Sequence, residues 1–212
     1  MTQDQVIESL LAFIAADNAD DDAFNATALD LFAYQFENNT PFRKFSMQRG
    51  RTPRTAKTWR DIPAVPINAF KELTLSCCPP EQAARIFMTS GTTNEGIRGK
   101  SHHPTLAVYD ASMLKNFKHR FMSDLDQIDM GILFPTEDVM PNSSLAHYLA
   151  LAIGNLGGPD SHYMMRHGGL EFDLIFAEVE RAVATGVPYA LLGASYSFVP
   201  MLDEMRRRGK TF

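Results

Sequence analysis

Apolar positions recur at two different periods along this chain, and the change of period divides it. Val6, Leu10, Phe13 and Ile14 fall on one face of a helix. A second helix carries Phe24, Leu29, Leu31, Phe32 and Phe36. The acids Asp20, Asp21 and Asp22 stand at its start, where the helix dipole favours negative charge. From Asp61 to Lys71 the periodicity disappears. Pro63 and Pro66 each push the preceding residue out of the helical region, which predicts an extended linker. From Ala84 onward, short apolar runs alternate with helical spacing. Strands are predicted at Ala84–Thr89, Met130–Phe134, His162–Met164 and Tyr189–Leu192. Helices are predicted at Leu106–Phe121, Ser143–Leu156 (capped by Asn142 or Ser143), Phe172–Thr185 and Tyr196–Arg208. Gly186 with Pro188, and then Gly209, stop the last two. The alternation predicts an α/β fold, a mostly parallel sheet flanked by helices, with a helical N-terminal extension. Two regions follow from it: a helical part over residues 1–60 and an α/β body over 61–212. In such sheets ligands sit beyond the carboxyl ends of the strands. The loops after Thr89, Phe134 and Leu192 are therefore the expected walls of a site.

Composition changes this picture little. The chain has 212 residues, 45% of them hydrophobic and 21% charged, enough for a sizeable core. Its net charge of -5 argues against a nucleic-acid surface as its main business. The basic residues from Arg43 to Arg60, with Trp59 among them, read as a solvated helix and loop that offset the acidic start. Cys77 and Cys78 are adjacent, cannot easily close an ordinary disulfide and show no metal-type spacing, so a reducing cytoplasm is the expected setting. The apolar run Leu10–Ala16 is too short to span a bilayer, and no membrane span is expected. The six histidines form no metal set: His102 and His103 would point to opposite faces of a strand.

Candidate chemistry gathers in the segment from Ile86 to Ser101. An apolar run leads into Thr89, Ser90, Gly91, Thr92 and Thr93, then Gly96, Arg98, Gly99 and Lys100. Glycines let a backbone approach a ligand closely, and bare N–H groups with hydroxyls can cradle an anion. The spacing is not that of a P-loop: Ile97-Arg98 follows Gly96 where Lys and Ser or Thr are required. A surface turn rich in glycine and threonine is the alternative reading. After Phe134 comes Pro141-Asn142-Ser143-Ser144-Leu145-Ala146-His147, a helix start with hydroxyls and a histidine one turn later, either a pocket wall or a plain cap. After Leu192 comes Gly193-Ala194-Ser195. It lacks the second glycine of a nucleophile elbow, which disfavours a serine hydrolase and leaves a narrow ligand slot or tight packing.

Thr89-Ser90-Gly91-Thr92-Thr93 resembles the phosphate loop of acyl-adenylate-forming enzymes, with Asn94 in place of the usual final glycine. Together with Ile62–Lys71, Lys100-Ser101-His102, Pro141–Tyr148 and Leu191–Asp203, in that order, it resembles LuxE-type acyl-protein synthetases. The resemblance implies ATP-dependent activation of a fatty or aryl acid, with magnesium, and transfer of the acyl group to a thiol. It implies nucleotide contacts from Thr89, Ser90, Gly91, Thr92, Thr93, Gly96 and Lys100. It places the small carboxylic acid against Ser143, Ser144, His147, Gly193, Ala194 and Ser195, and implies an acyl-carrier or reductase protein as partner. Enzymes of this kind continue well past the equivalent of Phe212, so the resemblance makes these residues an amino-terminal portion of a large domain, weakly active or inactive alone. The alternative is a non-catalytic binder of a small carboxylate or nucleotide on the same fold.

Overall fold

The computed structural model describes residues 1–89 and 97–212. The chain divides into two compact units, Met1–Lys115 and Asn116–Phe212.

The first unit opens with helices. In α1 (Gln3–Ala15) the hydroxyl of Thr2 accepts the Gln5 N–H, and the Gln5 side chain accepts the Thr2 N–H in return, satisfying two donors the first turn leaves unpaired. α2 (Asp21–Asn38) starts at Asp20, whose carboxylate accepts the Ala23 N–H at 2.8 Å. α3 (Thr40–Gln48) is capped by Asn39. Phe32, Phe42 and Ala56 are buried together, with Leu29, Phe36, Ile62 and Val65 against them. The rings of Phe32 and Phe42 meet edge to face at 5.8 Å. The far end of α1 is held by Lys115, whose ammonium donates to the carbonyls of Ala15 at 3.0 Å and Ala16 at 2.7 Å. Terminal helix carbonyls lack intrahelical partners, and a cation suits them.

Two expectations for this unit need correction. The linker is extended through Pro66 but closes into a helical turn, α4 (Ala69–Glu72), because no proline follows and the Ala69 N–H reaches the Pro66 carbonyl at 2.9 Å. The strand after Ala84 exists, as β1 (Arg85–Met88), but it does not join a parallel sheet. It pairs antiparallel with β2 (Lys100–His103), Met88 opposite Lys100. A chain that returns this soon forms a hairpin, whereas a parallel partner needs a longer crossover. α5 (Ala107–Phe117) spans the junction of the units. The helical run expected from Leu106 to Phe121 is present, as α5 continued by a π turn over Lys118–Met122.

The second unit holds the parallel sheet. Its strands are β3 (Asp129–Leu133), β4 (His162–Tyr163) and β7 (Tyr189–Gly193), in the order β4-β3-β7. β3 is central and buried along its whole length, as a strand covered on both faces must be. α6 (Ser144–Leu156) connects β3 to β4, and α7 (Phe172–Thr185) returns from β4 to β7. The two connections run in opposite directions across the sheet. Right-handed crossovers therefore put α6 and α7 on opposite faces. α7 and α8 (Ser195–Arg207) share one core: Leu133, Met164, Ile175, Phe176 and Met201, joined by Tyr189 and Leu191 from the sheet. Each large apolar side chain buried there contributes about 2 kcal/mol. The sequence did not predict the hairpin of β5 (Met165–Arg166) and β6 (Gly169–Leu170), turned by His167 and Gly168 at φ of 49° and 80°. Two positive φ values in succession make the tight turn that matches strand twist.

The start of the sheet is pinned by charge. Asp129 is buried; one carboxylate oxygen accepts the Asp160 N–H at 3.1 Å and the other accepts from Arg181 at 3.3 Å. Arg181 also pairs with Asp160 and Glu178. A Cβ on Gly158 would lie 2.2 Å from the Asp129 oxygen, so only glycine lets the loop close over the carboxylate.

Candidate functional site

The sequence candidates fall into two groups, one in each unit. In the first unit the described neck of the candidate phosphate loop is the end of the β1–β2 hairpin. The Thr89 N–H donates to the Gly99 carbonyl, and the Gly99 N–H donates to the Thr89 hydroxyl, both at 3.0 Å. The Thr89 hydroxyl thus accepts one bond in closing the neck and retains its own proton to donate. Lys100 heads β2 and is exposed. Ser90, Gly91, Thr92, Thr93 and Gly96 lie outside the described residues. His102 and His103 do face opposite sides of β2. His103 packs its ring against Phe87 at 5.0 Å and lies 3.2 Å from the Ser101 hydroxyl.

In the second unit the remaining candidates stand at the carboxyl edge of the parallel sheet. β3 and β7 finish in register, Leu133 beside Gly193. A Cβ on Gly193 would come within 2.8 Å of the Leu133 carbonyl oxygen, so glycine allows the two strands to close at this edge. That is the tight-packing reading of the Gly193-Ala194-Ser195 turn. Ala194 precedes α8 without a side-chain cap, and Ser195 is exposed in its first turn. Beyond β3 the chain turns at Thr136, whose carbonyl accepts the N–H groups of Val139 and Met140. Ser143 then caps α6: its hydroxyl accepts the Ala146 N–H at 3.2 Å. Ser144 opens the helix and is exposed. The rings of Phe134 and Tyr196, 6.4 Å apart, bring the two turns beside each other.

His147 lies one turn into α6 and is buried. Its Nδ1 stands 2.9 Å from the Oε1 of Glu137. The contact is a hydrogen bond in any state of the ring that carries a proton on Nδ1. Glu137 was absent from the sequence candidates. The signal in the sequence was a pair of acids, Glu137 and Asp138, between Pro135 and Pro141, and no motif links Glu137 to a histidine ten positions later.

Elsewhere the chemistry is subdued. Burial, with Cys78 alongside, pushes the Cys77 thiol up to about 11. Among the described residues no three histidine, cysteine, aspartate or glutamate side chains gather closely enough to hold a metal ion. No described helix is long and apolar enough to cross a membrane.

No protein-family model matches the chain. Over 181 residues it is 22% identical to a long-chain-fatty-acid–luciferin-component ligase of Vibrio harveyi. The match takes in 85% of this chain and 47% of that protein, so the chain spans about half the length of the curated relative it matches.

Proposed function

We propose that the protein takes part in ATP-dependent activation of a long-chain carboxylic acid as an acyl-adenylate, followed by transfer of the acyl group to a thiol. The observation that carries this reading is the similarity, along most of the chain, to a ligase named for a long-chain fatty acid. The hydroxyl- and glycine-rich segment between β1 and β2 in the sequence is consistent with it.

In this reading a carboxylate oxygen of the acid attacks the α-phosphorus of ATP, and the bond to pyrophosphate breaks. The amides and hydroxyls of Ser90, Gly91, Thr92, Thr93 and Gly96, with Thr89 and Lys100, hold the β- and γ-phosphates and stabilise the charge that builds as pyrophosphate departs. Bound magnesium would supply further neutralisation. Ser143, Ser144, His147 and the turn Gly193–Ser195 serve the acid's side of the reaction. A thiol then attacks the acyl carbon and AMP leaves. The acceptor in this reading is a thiol of an acyl-carrier or reductase partner. Two unpaired cysteines fit work in a reducing cytoplasm.

Trapping tests the reaction class. Incubation with ATP, magnesium, a C14 fatty acid and hydroxylamine yields the acyl hydroxamate if an activated acyl group forms. Formation of hydroxamate without ATP, or none with it, contradicts the proposal.

A further inference from the structure

We propose that a basic and aromatic face of the first unit, built from Phe24, Arg54, Lys57, Trp59 and Arg60, docks a carboxylate-rich face of the acyl-carrier protein whose thiol receives the acyl group. The proposal rests on the acyl-activating reading above and names the partner's docking surface within it.

Charge is unevenly spread along the chain. Residues 40–60 hold seven of its 20 Lys and Arg and no Asp or Glu, although the net charge is -5. Composition alone reads that run as solvated. The fold gives part of it a fixed shape. Arg51 pairs with Asp61 at 3.3 Å, which closes the segment between them into a loop. Within it the Asp61 carboxylate accepts the N–H groups of Lys57 at 2.9 Å and Thr58 at 3.1 Å. Ala56 is buried with Phe32 and Phe42 and anchors the loop to their core. Arg54, Lys57 and Arg60 stay exposed on this pinned loop. Among the described residues none of the three meets a carboxylate, whereas Arg181, Arg207 and Arg208 each do. Like charges held close together without counter-charges attract an acidic surface.

The loop also carries an apolar centre. Trp59 is 40% exposed and Phe24 44%. Their rings meet edge to face at 5.6 Å, and the Arg60 guanidinium lies over the Trp59 ring at 4.5 Å. The Trp59 N–H donates to the Asn25 side chain at 2.7 Å, which fixes this end of the loop to the start of α2. Two aromatic rings are thus held in place and left in contact with water. Tryptophan and arginine carry a large share of binding energy at protein interfaces, and an aromatic centre with a charged rim is the usual anatomy of one.

The neighbouring acids select a protein as the occupant. Asp20, Asp21 and Asp22 are exposed and stand immediately before Phe24. An anionic bilayer or a nucleic-acid backbone, extended past the cations, would meet these carboxylates and be repelled. A folded carrier can set a compact acidic patch against Arg54, Lys57 and Arg60 and stop short of them.

The single tryptophan of the chain lies in this face and serves as the reporter. A tryptophan-free acyl-carrier protein bearing its phosphopantetheine thiol is titrated into the 212-residue protein, with calorimetry alongside. Saturable binding that changes Trp59 emission is expected, with Kd rising roughly tenfold as added salt screens the charges. The double variant Arg54→Glu/Lys57→Glu raises Kd by roughly a hundredfold while melting as the wild type does. Arg206→Glu, at an exposed cation on α8, leaves Kd unchanged. No saturable binding by either readout overturns the proposal. So does equal weakening by Arg206→Glu, which would make the attraction a matter of net charge. Tighter binding of duplex RNA or of phosphatidylglycerol vesicles, lost in the double variant, would assign the face to phosphate and overturn it too. Hydroxamate trapping needs no carrier and separates the two claims. Trapping without docking removes this surface alone, and docking without trapping removes the adenylation reading alone.

Discussion

Asp129 puts a carboxylate at the buried start of the central strand, and Arg181 is the cation that compensates it. Removing one partner of such a pair leaves a charge without compensation, which costs more than the pair itself contributes. Arg181→Met is expected to destabilise the protein by about 2–3 kcal/mol, read from the urea midpoint. Adding Asp129→Asn should recover part of that loss, because the two substitutions act on one interaction. At Cys77 burial sets reactivity instead. With its thiol pushed up to about 11, alkylation by iodoacetamide at neutral pH is expected to be slow and to accelerate as pH rises toward that value, followed by peptide mapping. Rapid labelling at neutral pH would show a thiolate the burial does not allow. Neither feature was legible in the sequence, where an Asp at a strand start and an adjacent cysteine pair look unremarkable. Asp129 acquires its character from chain distant in sequence, Arg181 lying 52 residues away.

Helices were the most legible elements, because their signals are local. α7 ends at Gly186, which adopts φ of 70°, the left-handed conformation that the Gly-x-Pro ending suggested. Ser143 caps α6 as its hydroxyl and position suggested. Pairing partners were less legible, because register depends on which segment returns. The run before Thr89 carried no mark to separate a hairpin strand from a parallel one, and β5 and β6 are too short to show alternation. At the end of α8, Glu204 receives Arg207 and Arg208, whose hydrogen bonds hold its carboxyl at about 2, against an ordinary value of 4.5. A depressed folded-state value means that the unfolded chain binds the proton more readily. The stabilisation is complete above 4.5 and is lost as pH falls toward 2. Across that interval the melting temperature of the wild type should fall more steeply than that of Glu204→Gln. Parallel curves would show that the arginines do not select the ionised form.

For the molecule as a whole, the fold class was readable from alternating periods. The two-unit division of the chain and the pairing of Glu137 with His147 became visible only in three dimensions. The functional reading joins a loop composition, a sheet edge and a distant similarity to a ligase about twice as long as the matched region. Its central claim is that residues Thr89 to Lys100 grip the phosphates of ATP while an acid is activated. Exchange of labelled pyrophosphate into ATP tests that claim most directly. The account predicts slow exchange that requires a fatty acid and falls by roughly tenfold or more in Thr92→Ala and in Thr93→Ala. Exchange that ignores the acid, or that survives both substitutions at the wild-type rate, would contradict it.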